Sequence, residues 1–139
     1  MIDIKEKVYK LMNNAGFSFL GSISKEGFPN IKAMLKPRKI VDLDTIYFST
    51  NTSSMRVAQY EKNPKACVYF YDGLTFQGVM LEGNMEVFHD SYHKEMLWEE
   101  GDTLYYPKGV TDEDYCVLKF TVLNGRYYGN FKSEDFGVE

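Results

Sequence analysis

The segment FSTNTSSMRVAQ, residues 48–59, places a cation among small polar side chains at the predicted start of a helix. The polar residues are Thr50, Asn51, Thr52, Ser53 and Ser54, and the cation is Arg56. No acidic residue lies between Thr45 and Tyr60, although the helix macrodipole opposes a cation in the first turn. An anion bound there would remove this opposition, because backbone N–H groups, hydroxyls and a guanidinium would converge on it. The alternative is a helix with Ser53 as its N-cap and a solvated Arg56, and this segment alone leaves both interpretations open.

A second basic segment without acids lies between Gly27 and Val41. Its cations are Lys32, Lys36, Arg38 and Lys39. If the segment is a regular strand, period-two alternation places Lys32, Met34, Lys36 and Arg38 on one face. The alternative is an exposed sheet edge that lysines protect from aggregation. Two acid-free basic segments in a chain of net charge −4 together favour a phosphate-bearing ligand.

Other residues that could carry chemistry give weaker signals. His89 and His93 are four residues apart, as two metal ligands on one helix face would be, but no Cys or third His lies close by. We therefore predict no metal site. Cys67 and Cys116 each lie inside an apolar run and are predicted to be buried strand thiols. No nucleophile-elbow, P-loop or dinucleotide-binding motif is present, so we assign no catalytic acid or base.

The elements that position these residues are predicted from hydrophobic periodicity and turn signals. They are a helix over 2–14, strands over 17–24, 31–41, 45–50, 66–72, 75–89, 115–123 and 126–131, and helical segments from Ser53 to Lys62 and over 90–99. Residues 101–114 are predicted to be a loop, and Asn124-Gly125 is predicted to be the turn between the last two strands. Six or seven strands joined mostly by short turns favour an antiparallel sheet closed into a small barrel with peripheral helices.

Composition supports this architecture. The chain has 139 residues, 44% hydrophobic and 16% aromatic, which fits one mainly β domain over residues 1–139. The net charge of −4 argues against a general nucleic-acid binder. The N-terminus is amphipathic rather than a signal peptide, and no apolar run is long enough to span a bilayer, so we expect a cytoplasmic protein without a membrane partner.

Five segments in this order resemble the pyridoxine/pyridoxamine 5′-phosphate oxidase-like split-barrel flavoproteins, and among them the general stress protein branch. The segments are Gly27-x-Pro29, Lys32-Ala33-Met34, IYFSTNTSSMR (46–56), NPKACVYFY (63–71) and VMLEGNMEV (79–87). The resemblance implies a six-stranded antiparallel split β-barrel, a homodimer, and FMN bound at the dimer interface.

The resemblance also implies roles for individual residues. Lys32 and Arg56 match the cationic ligands of the FMN phosphate, while Met55 replaces a second cation found in the vitamin oxidases. The remaining cofactor-binding residues are Ala33 and Met34, whose backbone runs along the flavin ring, Ser49 and Thr50 at the end of the third strand, Asn51, Ser53 and the helix-start Ser54, and Gln77 near a glutamine position on the fifth strand.

The function implied is that of an FMN-dependent oxidoreductase-like protein with an unidentified small substrate. Pyridoxamine phosphate is not the expected substrate, because the chain ends in SEDFGVE where the true vitamin oxidases carry an arginine–histidine segment. The alternatives are a non-enzymatic flavin carrier or stress-related binding protein, and a binder of haem or a deazaflavin on the same fold.

Overall fold

The structure, a computed structural model, describes residues 3–138. The first residue of the helix predicted over 2–14 and both ends of the predicted domain 1–139 therefore lie outside the described residues. The described helices are α1 (Ile4–Asn14), α2 (Met55–Lys62) and α3 (Ser91–Leu97), with short 3₁₀ turns at Asp102–Leu104 and Gly109–Thr111. The described strands are β1 (Phe17–Ile23), β2 (Pro29–Leu35), β3 (Lys39–Val41), β4 (Thr45–Asn51), β5 (Lys65–Asp72), β6 (Gln77–Phe88), β7 (Tyr115–Gly129) and β8 (Lys132–Gly137).

The strands form one antiparallel sheet in the order β2-β1-β5-β6-β7-β4-β3, with β8 paired to β7. The two outer strands of this order, β2 and β3, are joined by only three residues, 36–38. The sheet must therefore curl until its ends meet, which leaves a barrel that is open along one seam. The predicted mainly β, antiparallel split-barrel fold is confirmed, with six longer strands and two shorter ones, β3 and β8.

The core fills the inside of the curled sheet. On β4 the burial alternates, so that Ile46, Phe48 and Thr50 point inward. Helix α1 covers the core with Val8 and Met12, both fully buried, as its apolar spacing predicts. Each buried aliphatic or aromatic side chain of this kind contributes about 1.5–3 kcal/mol to folding.

The prediction of one strand over 31–41 is wrong. β2 ends at Leu35 and β3 begins at Lys39. Pro37 between them is buried, and it has no N–H with which to continue a strand ladder. Of the predicted basic stripe, Lys36 and Arg38 thus lie in the linker and not on the strand.

The predicted turn at Asn124-Gly125 is also wrong, because both residues lie inside the continuous strand β7. Gly125 allows the Phe136 ring to pack closely against β7, because a Cβ atom at this position would come within 2.6 Å of that ring. The turn falls instead at Asn130-Phe131, whose φ angles are +54° and +62°. The predicted helix over 90–99 is confirmed as α3, and no helix among residues 3–138 is long and apolar enough to cross a membrane.

Candidate functional site

A cleft of about 490 Å³ lies where β2, β4 and the start of α2 come together. Seven of the ten predicted cofactor-binding residues line it: Lys32, Ala33, Met34, Ser49, Thr50, Asn51 and Arg56. The two separate segments that the sequence shows to be basic and free of acids therefore meet at one site.

The start of α2 is organised by Ser54 rather than by Ser53. The Ser54 hydroxyl accepts a hydrogen bond from the Val57 N–H at 3.4 Å, which is the N-cap arrangement. The N-cap assignment of Ser53 is therefore wrong. Ser53 instead donates its N–H to the carboxylate of Asp114 at 2.8 Å and accepts a hydrogen bond from the Asn51 side chain at 3.1 Å.

Arg56 lies in the first turn of α2, and only part of its guanidinium is hydrogen-bonded within the protein. Its Nη2 donates to the Oγ1 of buried Thr50 at 3.1 Å. Its Nε is buried without a hydrogen-bond partner, and Arg56 forms no ion pair with any residue between 3 and 138. Leaving a buried charged donor unsatisfied is unfavourable. The site therefore suits an anionic acceptor that would approach this guanidinium.

Two lysines add positive charge to the same cleft. Lys32 on β2 and Lys36 in the following linker are exposed and line it. Neither forms an ion pair within the described part of the chain. Three positive charges without a carboxylate partner thus border one cleft, and this is the donor set that a phosphate group requires.

Arg38 does not belong to this set, contrary to the predicted stripe. Its guanidinium forms two hydrogen bonds with buried Asp102, from Nη1 to Oδ2 at 2.8 Å and from Nη2 to Oδ1 at 2.6 Å. These hydrogen bonds hold the pKa of the Asp102 carboxyl below its usual value. Arg38 Nη1 also donates to the Leu97 carbonyl at 3.2 Å. The charge of Arg38 is therefore neutralised within the protein.

Gln77 lies away from the cleft within one chain. It begins β6 and accepts a hydrogen bond from the Tyr127 hydroxyl at 2.6 Å. It borders a different depression, which α1 and the β5–β6 turn also line. A single chain thus does not bring Gln77 to the other predicted residues.

The histidine pair is not arranged as a metal site. His89 precedes α3, whereas the ring of His93 stacks on Phe88 at 3.9 Å between centroids and its Nδ1 lies 2.8 Å from Asp90. No group of three His, Cys, Asp or Glu residues between 3 and 138 is placed to hold a metal ion.

The two cysteines are free thiols on strands, as predicted, although only one is fully buried. Cys116 is buried and Cys67 is half-buried. Burial raises the pKa of both thiols, which keeps them protonated and poorly nucleophilic.

The segment predicted to be a loop over 101–114 supplies cleft residues outside the ten predicted to bind the cofactor. Tyr105, Tyr106 and Asp114 line the cleft. Asp114 is placed by the register of β4 on β7, in which Asn51 lies opposite Tyr115. The Tyr-Tyr pair is a candidate for stacking on a planar ring, but no local signal in the sequence indicates that this segment returns to the cleft.

Comparisons with known proteins agree with this architecture. A family model described as pyridoxamine 5′-phosphate oxidase matches residues 4–129. No match is found among curated proteins. The crystal structure of a protein related to general stress protein 26 of Bacillus subtilis (pyridoxinephosphate oxidase family), from Clostridium acetobutylicum, is 40% identical, with a TM-score of 0.89 over 99% of this chain and 97% of that chain.

More distant structures share the fold. General stress protein 26 from Bacillus anthracis is 19% identical, with a TM-score of 0.80 over 99% of this chain and all of that chain. HupZ from Group A Streptococcus is 17% identical, with a TM-score of 0.72 over the full length of both chains. The family match over most of the chain and the 40% identical structure lead to one conclusion: the chain belongs to the pyridoxamine 5′-phosphate oxidase family, close to general stress protein 26.

Proposed function

We propose that this chain binds FMN in the cleft between β2 and β4 and acts as an FMN-dependent oxidoreductase on a small molecule other than pyridoxamine phosphate. The observation that carries the proposal is the state of Arg56, which has a buried Nε without a hydrogen-bond partner and forms no ion pair with any residue between 3 and 138. Family membership makes a flavin phosphate the anion to test first.

In this proposal the phosphate is held at the start of α2. Arg56 would provide the main charge, Lys32 would provide a second charge from β2, and the Ser49 and Thr50 hydroxyls lie at the end of β4 beside them. Asn51, Ser53 and Ser54 would act by shaping the β4–α2 junction, since their hydrogen bonds lie within that junction and to Asp114. The residues present therefore fit a phosphate group.

The ring would lie along the exposed edge of β2. Ala33 is exposed and Met34 is partly buried against the core, and both line the cleft beyond Lys32. When bound, FMN would supply the hydride- or electron-transferring ring, and the protein would supply orientation and charge. No side chain in the cleft is assigned as a catalytic acid or base.

The C-terminal strand argues against pyridoxamine phosphate as the substrate. β8 carries Glu134 and Asp135, and the nearby Arg126 is already paired with Asp135 at 2.6 Å. A second phosphate would meet carboxylates there rather than free cations. Turnover of pyridoxamine phosphate at an ordinary enzymatic rate would contradict this part of the proposal.

The proposal includes a homodimer, which the exposed apolar surface of β2 supports. Ile31 is 74% exposed and Leu35 is 71% exposed, and both lie on this strand at one end of the sheet order. Apolar side chains this exposed on an edge strand suit a contact with a second copy. In such a dimer, we propose that the cofactor contacts Gln77 of the partner subunit.

The test is a titration of purified protein with FMN and with riboflavin, which lacks the phosphate. Arg56→Ala should weaken FMN binding by about 1–3 kcal/mol and leave riboflavin binding nearly unchanged, and Lys32→Ala should act in the same direction. Arg126→Ala, which removes an arginine that does not line the cleft, is the matched control. Equal FMN affinity in wild type and both cleft variants would overturn the phosphate assignment.

Two further measurements separate the alternative functions. The absorption spectrum of the purified protein distinguishes FMN from haem or a deazaflavin. Rapid reoxidation of the reduced, protein-bound flavin by a candidate acceptor supports an enzyme. Reoxidation no faster than that of free flavin, with every acceptor tried, supports a non-enzymatic carrier.

A further inference from the structure

Two tyrosines reach the cleft from a segment that belongs to neither the barrel nor α2. Tyr105 and Tyr106 follow the 3₁₀ turn at Asp102–Leu104 and line the same cleft as Arg56. Tyr106 is buried, with its ring centroid 4.9 Å from that of Tyr115. Tyr105 differs, because 60% of its surface is exposed. An aromatic ring that borders a cleft and is mostly uncovered is available to stack on a planar ligand.

Asp102 connects these tyrosines to the end of β2. Its main-chain carbonyl accepts hydrogen bonds from the N–H groups of Tyr105 and Tyr106, both at 2.9 Å. Its buried carboxylate binds Arg38, which lies in the linker that follows β2. One residue thus joins the tyrosine segment to the linker that follows β2, the strand along which the proposed flavin ring lies.

The Arg38–Asp102 pair is the charged link between these two parts of the cleft. Arg38 also donates to the Leu97 carbonyl at the end of α3, so the guanidinium is held on three oxygen atoms. A bidentate pair of this kind sets orientation as well as distance. Nothing in the proposed phosphate site requires it, since Arg56 and Lys32 lie elsewhere in the cleft.

Resting on the proposed function, we propose that Tyr105 stacks on the flavin ring and that Arg38 and Asp102 are a positioning pair that holds Tyr105 against it. Tyr105 is then a ligand-contacting residue, whereas Arg38 and Asp102 act through the main chain of the tyrosine segment. The phosphate and the ring would be bound by different side chains, which makes their contributions separable.

The first experiment compares wild type with Tyr105→Ala and Tyr105→Phe in titrations with FMN and riboflavin. Tyr105→Ala should weaken the binding of FMN and of riboflavin equally, by about three- to tenfold, because both ligands contain the flavin ring. Tyr105→Phe should keep the affinity but make the bound flavin more fluorescent. The reason is that a contacting phenol quenches the excited flavin by donating an electron and taking it back. Tyr92→Ala changes a tyrosine on α3 that is also largely exposed but lies outside the cleft, and it should change neither quantity.

The second experiment tests the positioning pair through the same fluorescence. Asp102→Asn and Arg38→Gln should raise the fluorescence of the bound flavin toward the value in Tyr105→Phe. The bound flavin in Arg38→Lys should have a fluorescence between that of these two variants and that of wild type. Arg126→Gln, which breaks the surface pair with Asp135, controls for the loss of an ion pair in general. Unchanged fluorescence in the folded pair variants would overturn the positioning role.

The outcomes separate this proposal from the proposed function. If wild type binds neither flavin, the proposed function fails. If Arg56→Ala selectively loses FMN while Tyr105→Ala and Tyr105→Phe behave as wild type, the proposed function stands and the stacking proposal is overturned. If Asp102→Asn does not fold, the variants of the exposed Tyr105 still test the stacking. The flavin fluorescence of Arg38→Lys then tests the positioning role.

Discussion

The Arg56 Nη2 atom donates a hydrogen bond of 3.1 Å to the Thr50 Oγ1 atom, and this bond joins the first turn of α2 to the end of β4. Thr50 is 3% exposed, so its hydroxyl is well shielded from water. The bond orients a guanidinium whose Nε has no partner among residues 3–138. Arg56 is thereby presented to the cleft rather than to solvent.

Thr50→Val is therefore predicted to weaken FMN binding by about 1–2 kcal/mol while changing the free energy of unfolding little. Valine keeps the shape and the strand propensity of threonine but cannot accept the bond from Arg56. Calorimetric FMN titration and urea unfolding measure the two quantities. Thr45→Val, at the half-buried beginning of the same strand, should leave FMN affinity unchanged. Equal FMN affinity in the two variants would show that Thr50 does not position Arg56.

The part of the site that the sequence predicts is local. Residues 48–56 hold the hydroxyls, the N-cap and the cation within one strand–helix junction, so spacing and charge suffice to identify them. Lys32 was predicted because its segment also lacks acids. Both observations concern residues near each other in the chain, where strand and helix periodicity are reliable guides.

The parts that sequence could not predict depend on contacts between distant segments. Arg38 and Asp102 are 64 residues apart, so the absence of acids near Arg38 did not indicate that its charge is free. Asn124-Gly125 has the composition of a hairpin turn, but the packing of Phe136 on Gly125 keeps it within β7. In both cases a tertiary contact overrides a local signal.

Asp102 makes the stability of the fold depend on acid pH. Hydrogen bonds from Arg38 lower the folded-state pKa of this carboxyl, so the ion pair contributes fully above the ordinary aspartate pKa of about 3.9 and is lost as pH falls through the lower folded value. Asp102→Asn should reduce the free energy of unfolding by about 2 kcal/mol at neutral pH. Urea unfolding at several pH values should show this difference constant at neutral pH and shrinking below pH ~4. A difference that does not change in acid would contradict the assignment.

Gly83 is predicted to be intolerant of any side chain. It lies at the bulge where the register of β6 on β7 shifts, and a Cβ atom there would collide with the Thr121 carbonyl oxygen. Because a backbone atom cannot move aside as a flexible side chain can, Gly83→Ala should lower the free energy of unfolding by at least about 2 kcal/mol. Gly137→Ala, where nothing lies within 4 Å of the new methyl group, should be nearly neutral. Chemical denaturation of both variants provides the comparison.

The turn between β7 and β8 should be stabilised by Phe131→Gly. Phe131 has a φ of +62° and is fully exposed, so its ring gains no packing while its backbone occupies the left-handed region. Glycine adopts that region without strain, and the expected gain in the free energy of unfolding is about 1 kcal/mol. Leu74→Gly is the control, because Leu74 is also 99% exposed but is not among the residues with positive φ. A loss of stability in Phe131→Gly would contradict the backbone argument.

Ile31 tests whether β2 is the contact surface of the proposed dimer. Its side chain is 74% exposed and borders an apolar depression that Ile23 and Ala66 also line. A lysine at this position would be solvated in a single chain but would be buried without a partner between two chains, which is strongly unfavourable. Ile31→Lys should therefore shift the protein from dimer to monomer in size-exclusion chromatography with light scattering, without lowering the unfolding free energy of the single chain. Val41→Lys on the other outer strand, β3, should leave the dimer intact. A dimer that persists in Ile31→Lys would exclude this face as the interface.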